Sequence, residues 1–276
     1  MTTIDIVELF GNYANKWSEK QGGGENNISL ILPNYEYYAV QDYFKNIEFS
    51  EPTSPVKTEI KLASETYSNT GTTPKEINIE MSGDVNYLGK WTLDNGASTF
   101  GKNLVDIFPS NDPINVDKSS FSLRVGESTT RKNLVNWEFN YPHVIRPRFK
   151  ITANLMVKMN VIKRTFKVAR DLSGYVAVLL KKPNGSVQIS FHHVAAILQR
   201  YYSPYFKIDG VDVTLFNNGS FEGTYFTEPY IHVVASSLDI PNLTEEYNLY
   251  FPNNSDPYNM IIEEIPQQTD DDLCEN

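Results

Sequence analysis

The chain has 276 residues, of which 40% are hydrophobic and 21% are charged, and its formal net charge is -10. A chain of this length and apolar content can bury a large core, as one unit or as two lobes. All 24 lysines and arginines lie at or before Lys207, so the last part of the chain is strongly acidic. Because binding to nucleic acid requires a clustered basic surface, this charge distribution argues against a nucleic-acid partner.

The N-terminal sequence shows no targeting signal. Met1 to Asp5 lack a basic region followed by an apolar run, so no secretory signal peptide is predicted. No stretch reaches the roughly 18–20 apolar residues of a membrane-spanning helix. The chain has one cysteine, Cys274, which has no partner for an internal disulfide. We therefore expect a protein that is made soluble.

The first predicted element is a helix from Ile4 to about Lys20. Thr3 is the predicted N-cap, and Gly22 to Gly24 end the helix. Its apolar residues share one face at steps of three and four residues, namely Ile6, Phe10, Tyr13 and Trp17. This pattern predicts a helix that packs against a sheet.

A long strand gives the strongest strand signal in the sequence. From Phe149 to Val161 every odd position is apolar, and every even position except Met156 is polar. This period of two extends over about twice the usual strand length of roughly five or six residues. At about 3.3 Å per residue the strand would run roughly 40 Å, which suits an elongated sheet or a large barrel.

Other alternating segments predict a mainly β chain. They are Val56–Leu62, Ile77–Met81, Ser119–Val125, Asn136–Tyr141, Thr165–Val168, Tyr175–Leu180, Val211–Phe216, Gly219–Phe226 and Tyr230–Ala235. Lys182 to Gly185 predict a tight turn. A second, short helix is predicted from Ser190 to Tyr202, closed by Pro204.

Sequence motifs for catalysis are absent. The chain contains no G-x-S-x-G, P-loop, H-E-x-x-H or C-x-x-C motif, so no catalytic residue, cofactor or metal site is predicted. His192 and His193 are neighbours on the predicted second helix and should face different directions, which disfavours a shared metal ion. We expect that the protein is not an enzyme.

Five runs of the sequence carry recognisable motifs, namely Asn140–Ala153, Thr165–Val168, Leu172–Tyr175, Phe216–Gly223 and Ile231–Val233. They include a proline-containing turn before a long alternating strand, an F-x-V element, a G-Y and a G-x-F-x-G strand. This set of motifs resembles the aerolysin-like epsilon-toxin/mosquitocidal-toxin family of β-pore-forming toxins. Among relatives, the insecticidal crystal toxins of sporulating bacilli are the most similar in length, in the lack of a signal peptide and in the aromatic N-terminal helix.

This resemblance implies a mainly β fold with elongated antiparallel sheets and a small helix-containing head lobe. It implies a receptor-binding lobe of residues 1–60 and 185–210. The pore-forming and oligomerisation region would comprise residues 61–184 and 211–265, before an acidic tail of residues 266–276.

The same resemblance implies a mode of action: a soluble monomer binds a receptor on a target-cell membrane, forms a homo-oligomer and inserts one amphipathic hairpin per subunit as a barrel. The protein would be produced soluble or as an intracellular crystal inclusion and would act outside the cell. The open alternative is a non-lytic carbohydrate- or cell-surface-binding protein on the same fold.

Residues 83–130 are the predicted membrane-insertion hairpin. A descending half runs from Trp91 to Phe108, and an ascending half runs from Ile114 to Val125, with Pro109–Pro113 as the turn. Its apolar face comprises Leu104, Val105, Ile107, Phe108, Ile114, Val116, Phe121, Leu123 and Val125. In a bilayer a strand can pair its backbone groups only within a closed barrel. One face of such a strand meets lipid and the other the water-filled interior, so its residues must alternate between apolar and polar. The alternative is an ordinary surface hairpin or a loop over the core.

Clustered tyrosines are the predicted receptor-contact residues, because amphipathic aromatic side chains are frequent at interfaces. They are Tyr35, Tyr37, Tyr38, Tyr43, Tyr201, Tyr202 and Tyr205. The alternative is that most of them belong to the core.

The acidic C-terminus admits two interpretations. The run Asp270–Asp272 is typical of a solvated tail. The other interpretation is a removable extension that covers an assembly surface until a protease cuts after an aromatic or aliphatic residue, for example Tyr250 or Tyr258.

Overall fold

The computed structural model describes residues 3–99, 104–107, 119–250 and the backbone of 262–264. The described residues form two α-helices, α1 (Ile6–Lys20) and α2 (Val194–Leu198), and a 3₁₀ helix, Glu36–Tyr38. The strands are β1 (Thr3–Asp5), β2 (Glu25–Ser29), β3 (Gln41–Phe49), β4 (Val56–Asn69), β5 (Lys75–Ser98), β6 (Leu104–Ile107), β7 (Phe121–Arg124), β8 (Ser128–Ile145), β9 (Phe149–Ser173), β10 (Tyr175–Lys181), β11 (Val187–His193), β12 (Phe206–Asp209), β13 (Asp212–Ser237), β14 (Thr244–Tyr250) and β15 (Ile262–Glu264). The prediction of a mainly β fold is confirmed.

Three sheets organise these strands. A ten-stranded sheet contains the path β1-β5-β13-β14-β15, with β3 and β4 paired to β9, β9 to β13, β8 to β5 and β12 to β13. A second sheet has the order β11-β10-β2, and β6 and β7 form a two-stranded ribbon.

The long strands extend further than the sequence patterns predict. β9 joins two predicted strands into one, and β13 joins three. The alternation of the first half of β9 matches its burial: Ile151, Ala153, Leu155 and Val157 are buried. The sequence patterns did not predict β2, β3, β12 or β14. The strands β2 and β3 pair with the distant β10 and β9, whereas β12 and β14 pair with their neighbour β13.

The first helix begins later than predicted, and its cap is Asp5 rather than Thr3. The Asp5 carboxylate accepts hydrogen bonds from the backbone N–H groups of Val7 (2.8 Å) and Glu8 (3.3 Å). Thr3 instead belongs to β1, which pairs in parallel with Gly96–Ser98. A β-sheet partner for the first residues thus replaces the expected first turn of helix. The predicted apolar face is buried at Ile6, Phe10 and Tyr13 and half-buried at Trp17.

The prediction of a helix from Ser190 to Tyr202 is largely wrong. Residues 190–193 belong to β11, which pairs antiparallel with β10 from Tyr175↔His193 to Lys181↔Val187. Only Val194–Leu198 form α2, because strand pairing takes the residues before it and the His193 ring caps its first turn. The predicted turn before β11 is confirmed: the Gly185 N–H donates to the Lys182 carbonyl at 2.9 Å, and Gly185 has a φ of 82°.

The chain divides into two compact units. Unit 1 comprises residues 1–53, 89–131 and 163–223, and unit 2 comprises 54–88, 132–162 and 224–276. The lobe boundaries drawn from the sequence stay a prediction.

Each unit has its own apolar core. In unit 1 the helices pack with β10, β12 and β13 around the buried residues Ile6, Phe10, Leu172, Val176, Val194, Ile197, Leu198, Val213 and Leu215. In unit 2 strands β5, β8, β9, β13 and β14 enclose Ile79, Phe139, Ile151, Leu155, Ile231, Val233 and Leu249.

Candidate functional site

The central part of the predicted insertion hairpin is a two-stranded antiparallel ribbon of β6 and β7. Val105 lies opposite Leu123, Asp106 opposite Ser122, and Ile107 opposite Phe121. Val105, Ile107 and Leu123 are buried, whereas Asp106 and Ser122 are exposed. The Ser122 hydroxyl donates a hydrogen bond to the Asp106 carboxylate across the outer face. The ribbon therefore has one buried apolar face and one exposed polar face.

An aromatic cluster of unit 1 lies beneath this ribbon. The Phe121 ring contacts the Trp91 ring at a centroid distance of 5.6 Å, and Trp91 in turn contacts Phe166 (5.4 Å) and Phe221 (4.6 Å). The Arg131 guanidinium lies 5.0 Å from the Phe121 ring centroid and also donates a hydrogen bond to the Ser119 hydroxyl. These contacts join β7 of the ribbon to the rest of unit 1, which we call the body.

A buried ion pair lies at the start of the ribbon. Arg170 on β9 and Asp42 on β3 are paired, with side chains 5% and 9% exposed. The Thr99 hydroxyl donates to the Asp42 carboxylate, and Arg170 donates to the carbonyl of Ala97 at 2.7 Å. Asn217 accepts from Arg170 at 3.1 Å and donates to the same Ala97 carbonyl at 2.9 Å. This network attaches the chain to the body up to Thr99.

Burial lowers the pKa of the Arg170 guanidinium, because the charged form loses its hydration. The carboxylates of Asp42 and of Asp106 on β6 act in the opposite direction and favour the charged form. The Asp106 carboxylate on the ribbon therefore interacts electrostatically with Arg170 of this network.

The other end of the ribbon returns to β5 through a tight turn. The Gly126 N–H donates to the Leu93 carbonyl at 2.6 Å, and the Leu93 N–H donates to the Glu127 carbonyl at 3.0 Å. Gly126 has a φ of 89°, a conformation that favours glycine. The chain is therefore fixed to the body again from Gly126 onward.

The ribbon seen in the structure is shorter than the predicted range 83–130. Residues 83–98 continue β5 and residues 128–130 begin β8, so Trp91 is a buried body residue and not part of a descending ribbon strand. Val125, which directly follows β7, is half-buried. The predicted hairpin residues Phe108, Ile114 and Val116 lie outside the described residues, as does the side chain of Leu104.

The predicted receptor tyrosines separate into two groups. Tyr35, Tyr37 and Tyr38 come together around the 3₁₀ helix, and Tyr38 contacts the rings of Tyr37 (4.2 Å), Tyr175 (5.2 Å) and Phe191 (4.8 Å). Tyr35 also contacts Phe191, at 5.3 Å. Tyr37 is 75% exposed, so this set forms a surface that we call the aromatic platform.

The remaining tyrosines lie elsewhere. Tyr201 and Tyr205 pack against the core of unit 1, and the Tyr201 hydroxyl donates to the Leu9 carbonyl at 3.2 Å. Tyr202 is 96% exposed, and Tyr43 on β3 is 55% exposed. Sequence reasoning missed Tyr175 and Phe191, because strand pairing alone brings them beside residues 35–38.

The histidines have structural contacts. The Tyr13 hydroxyl lies 2.9 Å from His192 Nδ1, and the Tyr247 hydroxyl lies 2.9 Å from His143 Nε2. Among the residues that the structure describes, no group of three or more His, Cys, Asp or Glu side chains is placed to hold a metal ion. In the same part of the chain, no helix is long and apolar enough to cross a membrane.

Comparisons with protein-family models and with curated protein sequences gave no match. Several solved structures share the fold. A chain of the Cry23Aa1 and Cry37Aa1 binary complex aligns with a TM-score of 0.61 at 16% identity, covering 90% of this chain and 96% of that one. A non-toxic crystal protein from Bacillus thuringiensis aligns at 0.62 and 13% identity over 86% and 98%. The Mpp75Aa1.1 β-pore-forming protein from Brevibacillus laterosporus aligns at 0.56 and 13% identity over 96% and 98%. The aerolysin-like fold predicted from the sequence is confirmed by these neighbours.

Proposed function

We propose that this chain is a β-pore-forming toxin that binds a target-cell membrane, oligomerises and inserts residues 100–125 as a transmembrane hairpin. The observation that carries the proposal is the one-sided burial of the β6–β7 ribbon. A strand that faces lipid on one side and water on the other must alternate apolar and polar residues, as this ribbon does. The shared fold with a protein described as β-pore-forming supports the proposal.

The length of the segment between its two attachments suits a membrane-spanning hairpin. Residues 100–125 number 26, and the predicted turn 109–113 leaves 9 residues before it and 12 after it. A transmembrane β-strand needs about 9–11 residues. Release between Thr99 and Gly126 would therefore supply two strands of spanning length.

The aromatic platform is the proposed receptor contact. Aromatic rings that carry hydroxyl groups combine a flat apolar face with a polar edge, which suits a glycan or a membrane-anchored protein. Tyr202 and Tyr43, which are exposed, extend the set of candidates. The proposed target is an insect midgut cell, and the protein would reach it after production as a soluble protein or a crystal inclusion. Under this proposal the protein is not an enzyme.

A non-lytic surface-binding protein is the second candidate. It is favoured by the likeness to a crystal protein described as non-toxic. Under this alternative the aromatic platform binds its ligand, and the β6–β7 ribbon stays on the body throughout.

A cleavable cross-link separates the two candidates. Ser119, on the chain that leads into β7, accepts a hydrogen bond from Arg131 on β8, so cysteines at both positions can be bridged by a disulfide-containing bis-maleimide. We expect the bridged protein to bind midgut membrane vesicles but to release no calcein, and to regain release after reduction. Cys274, the one native cysteine, is replaced by serine so that the cross-linker reacts only with the two introduced cysteines.

The matched control bridges two residues outside the proposed mobile segment. Thr66 and Thr152 lie directly opposite each other on β4 and β9, with their hydroxyl oxygens 3.3 Å apart. A disulfide between cysteines at these positions should leave calcein release intact. No release from any protein after protease treatment would favour the non-lytic candidate. Equal release from bridged and reduced Ser119–Arg131 protein would contradict the assignment of residues 100–125 as the inserting hairpin.

A further inference from the structure

A cavity of about 400 Å³, lined by charged and hydroxyl-bearing residues, lies in unit 1 on strands that also support the ribbon. Its lining comprises Ser50, Glu51, Thr53, Lys90, Thr92, Lys163, Arg164, Thr165, Ser220, Phe221 and Glu222. Three cations and two carboxylates therefore line it, a local excess of +1 in a chain of net charge -10. The rest of the lining is mainly hydroxyl-bearing.

The charges of the lining are unequally compensated. Lys163 pairs with Glu222 at 3.0 Å, so that carboxylate is already neutralised. Lys90 and Arg164 form no ion pair within the described part of the chain, and the Arg164 Nε is buried there without a hydrogen-bond partner. A buried cationic donor without a partner is costly, and an anion would satisfy it.

The wall formed by residues 50–53 is held in place by hydrogen bonds to β9. The Ser50 hydroxyl accepts from the Thr165 N–H at 3.0 Å, and the Thr53 hydroxyl accepts from the Lys163 N–H at 3.2 Å. The backbone N–H groups of Ser50 and Thr53 donate to the carbonyls of Thr165 and Lys163, respectively. The cavity is thus formed before any ligand arrives, which reduces the entropy cost of binding.

Contacts connect the cavity to the ribbon and to the start of β8, the strand that follows it. Phe221, in the lining, packs on Trp91, and Trp91 packs on Phe121 of β7. Thr92, also in the lining, bonds to Ser128 at the start of β8. A ligand in this cavity would therefore lie beside the base of the segment proposed to enter the membrane.

We propose that this cavity binds the phosphate group of a phospholipid headgroup, with Lys90 and Arg164 as the cationic donors and the Thr165 and Ser220 hydroxyls as further donors. Arginine and lysine with neighbouring hydroxyls match the acceptor oxygens of a phosphate. This assignment to a lipid rests on the proposed function, since only a protein acting at a membrane meets a headgroup there. Glu51, which also lines the cavity, would favour a headgroup that carries an ammonium beside its phosphate.

Vesicle flotation tests the proposal without any need for pore formation. The probes are phosphatidylcholine vesicles with phosphatidylethanolamine and, separately, galactolipid vesicles, which lack phosphate. We expect binding to the phospholipid vesicles, weakened about 10-fold by Lys90→Gln and by Arg164→Gln and restored in part by Arg164→Lys, because each removed donor takes away a charge-assisted hydrogen bond. Lys181→Gln, which changes the same charge on an exposed lysine outside the cavity, should bind like the unmodified protein.

The possible outcomes are distinct. Equal binding to both vesicle types, or equal binding of all four variants, would overturn the proposal. If inorganic phosphate protects the protein against thermal unfolding but the protein binds no vesicles, the assignment to a lipid would be overturned. Calcein release without cavity-dependent binding would overturn this inference alone, whereas cavity-dependent binding without release under any condition would count against the pore-forming function.

Discussion

Val105 lies directly opposite Leu123 in the β6–β7 ribbon, and both side chains are buried although the ribbon has only two strands. A two-stranded ribbon is marginally stable by itself in water. Its order therefore depends on the apolar contact with the body, and the proposed insertion requires that this contact be lost.

Leu123→Ala tests this dependence. Truncating a buried leucine typically costs about 2–5 kcal/mol. We expect hydrogen exchange of residues 104–107 and 121–124 to accelerate by about 30-fold or more, which corresponds to about 2 kcal/mol. Leu134→Ala is the control, because Leu134 is 60% exposed on β8 and its truncation should change little. Unchanged exchange in the Leu123 variant would show that other contacts hold the ribbon.

Arg170→Met tests the buried network at the base of the ribbon. Removal of one partner leaves the Asp42 carboxylate buried without its cation, and such a loss typically costs about 3–5 kcal/mol. Urea unfolding followed by tryptophan fluorescence measures the change. Lys45→Met breaks the half-exposed Lys45–Asp171 pair in the same unit and should cost less than about 1 kcal/mol. Similar losses for the two variants would contradict a special role of the buried pair.

The His143–Tyr247 contact predicts a pH dependence of stability. Burial lowers the pKa of His143 below its usual value of 6.5, and burial raises the pKa of Tyr247 to about 12. Because the folded state disfavours the protonated imidazole, this contribution to stability is complete above the unfolded pKa and is lost as the pH falls below it. We expect the free energy of unfolding to fall from pH 8 to pH 5, and to fall less in His143→Gln. A variant with the same pH profile as the unmodified protein would refute this assignment.

The C-terminal segment predicts a dependence of assembly on chain length. β15 pairs antiparallel with β14, with Leu249 opposite Ile262, and so covers one edge of β14. An uncovered strand edge is a template for pairing with another chain. A chain that ends at Tyr258 should therefore form SDS-resistant oligomers on membranes more readily than the full chain.

The control for this prediction ends at Gln267, which keeps residues 262–264 but removes the run Asp270–Asp272. It should behave like the full chain. If this control also assembles readily, the acidic tail and not β15 limits assembly.

The sequence predicted those features that depend on local periodicity. The alternation of residues 149–158 and 121–125 and the apolar face of α1 match burial in the structure. At residues 159–161 the phase reverses, since Asn160 is buried and Met159 and Val161 are half-buried. Asp5 was not predicted as the helix cap because β1 pairs with distant residues 96–98, which determines where the helix begins.

The features that the sequence did not predict depend on contacts between distant residues. Arg170 and Asp42 are 128 positions apart, and no local pattern pairs them. The aromatic platform likewise joins residues 35–38 to Tyr175 and Phe191 through the pairing of β10 with β2 and β11. Such sites become visible only when the sheet order is known.

Single-cysteine labelling of residues 120–125 tests the central claim most directly. Each position receives a fluorescent probe in a Cys274→Ser background, and nitroxide-labelled lipids quench probes that contact the bilayer interior. In the oligomer on membranes we expect quenching at Phe121, Leu123 and Val125 and no quenching at Ser120, Ser122 and Arg124. Leu134 on β8, outside the ribbon, is the control position and should stay unquenched. Dye release accompanied by no quenching at any of the six positions would contradict the account.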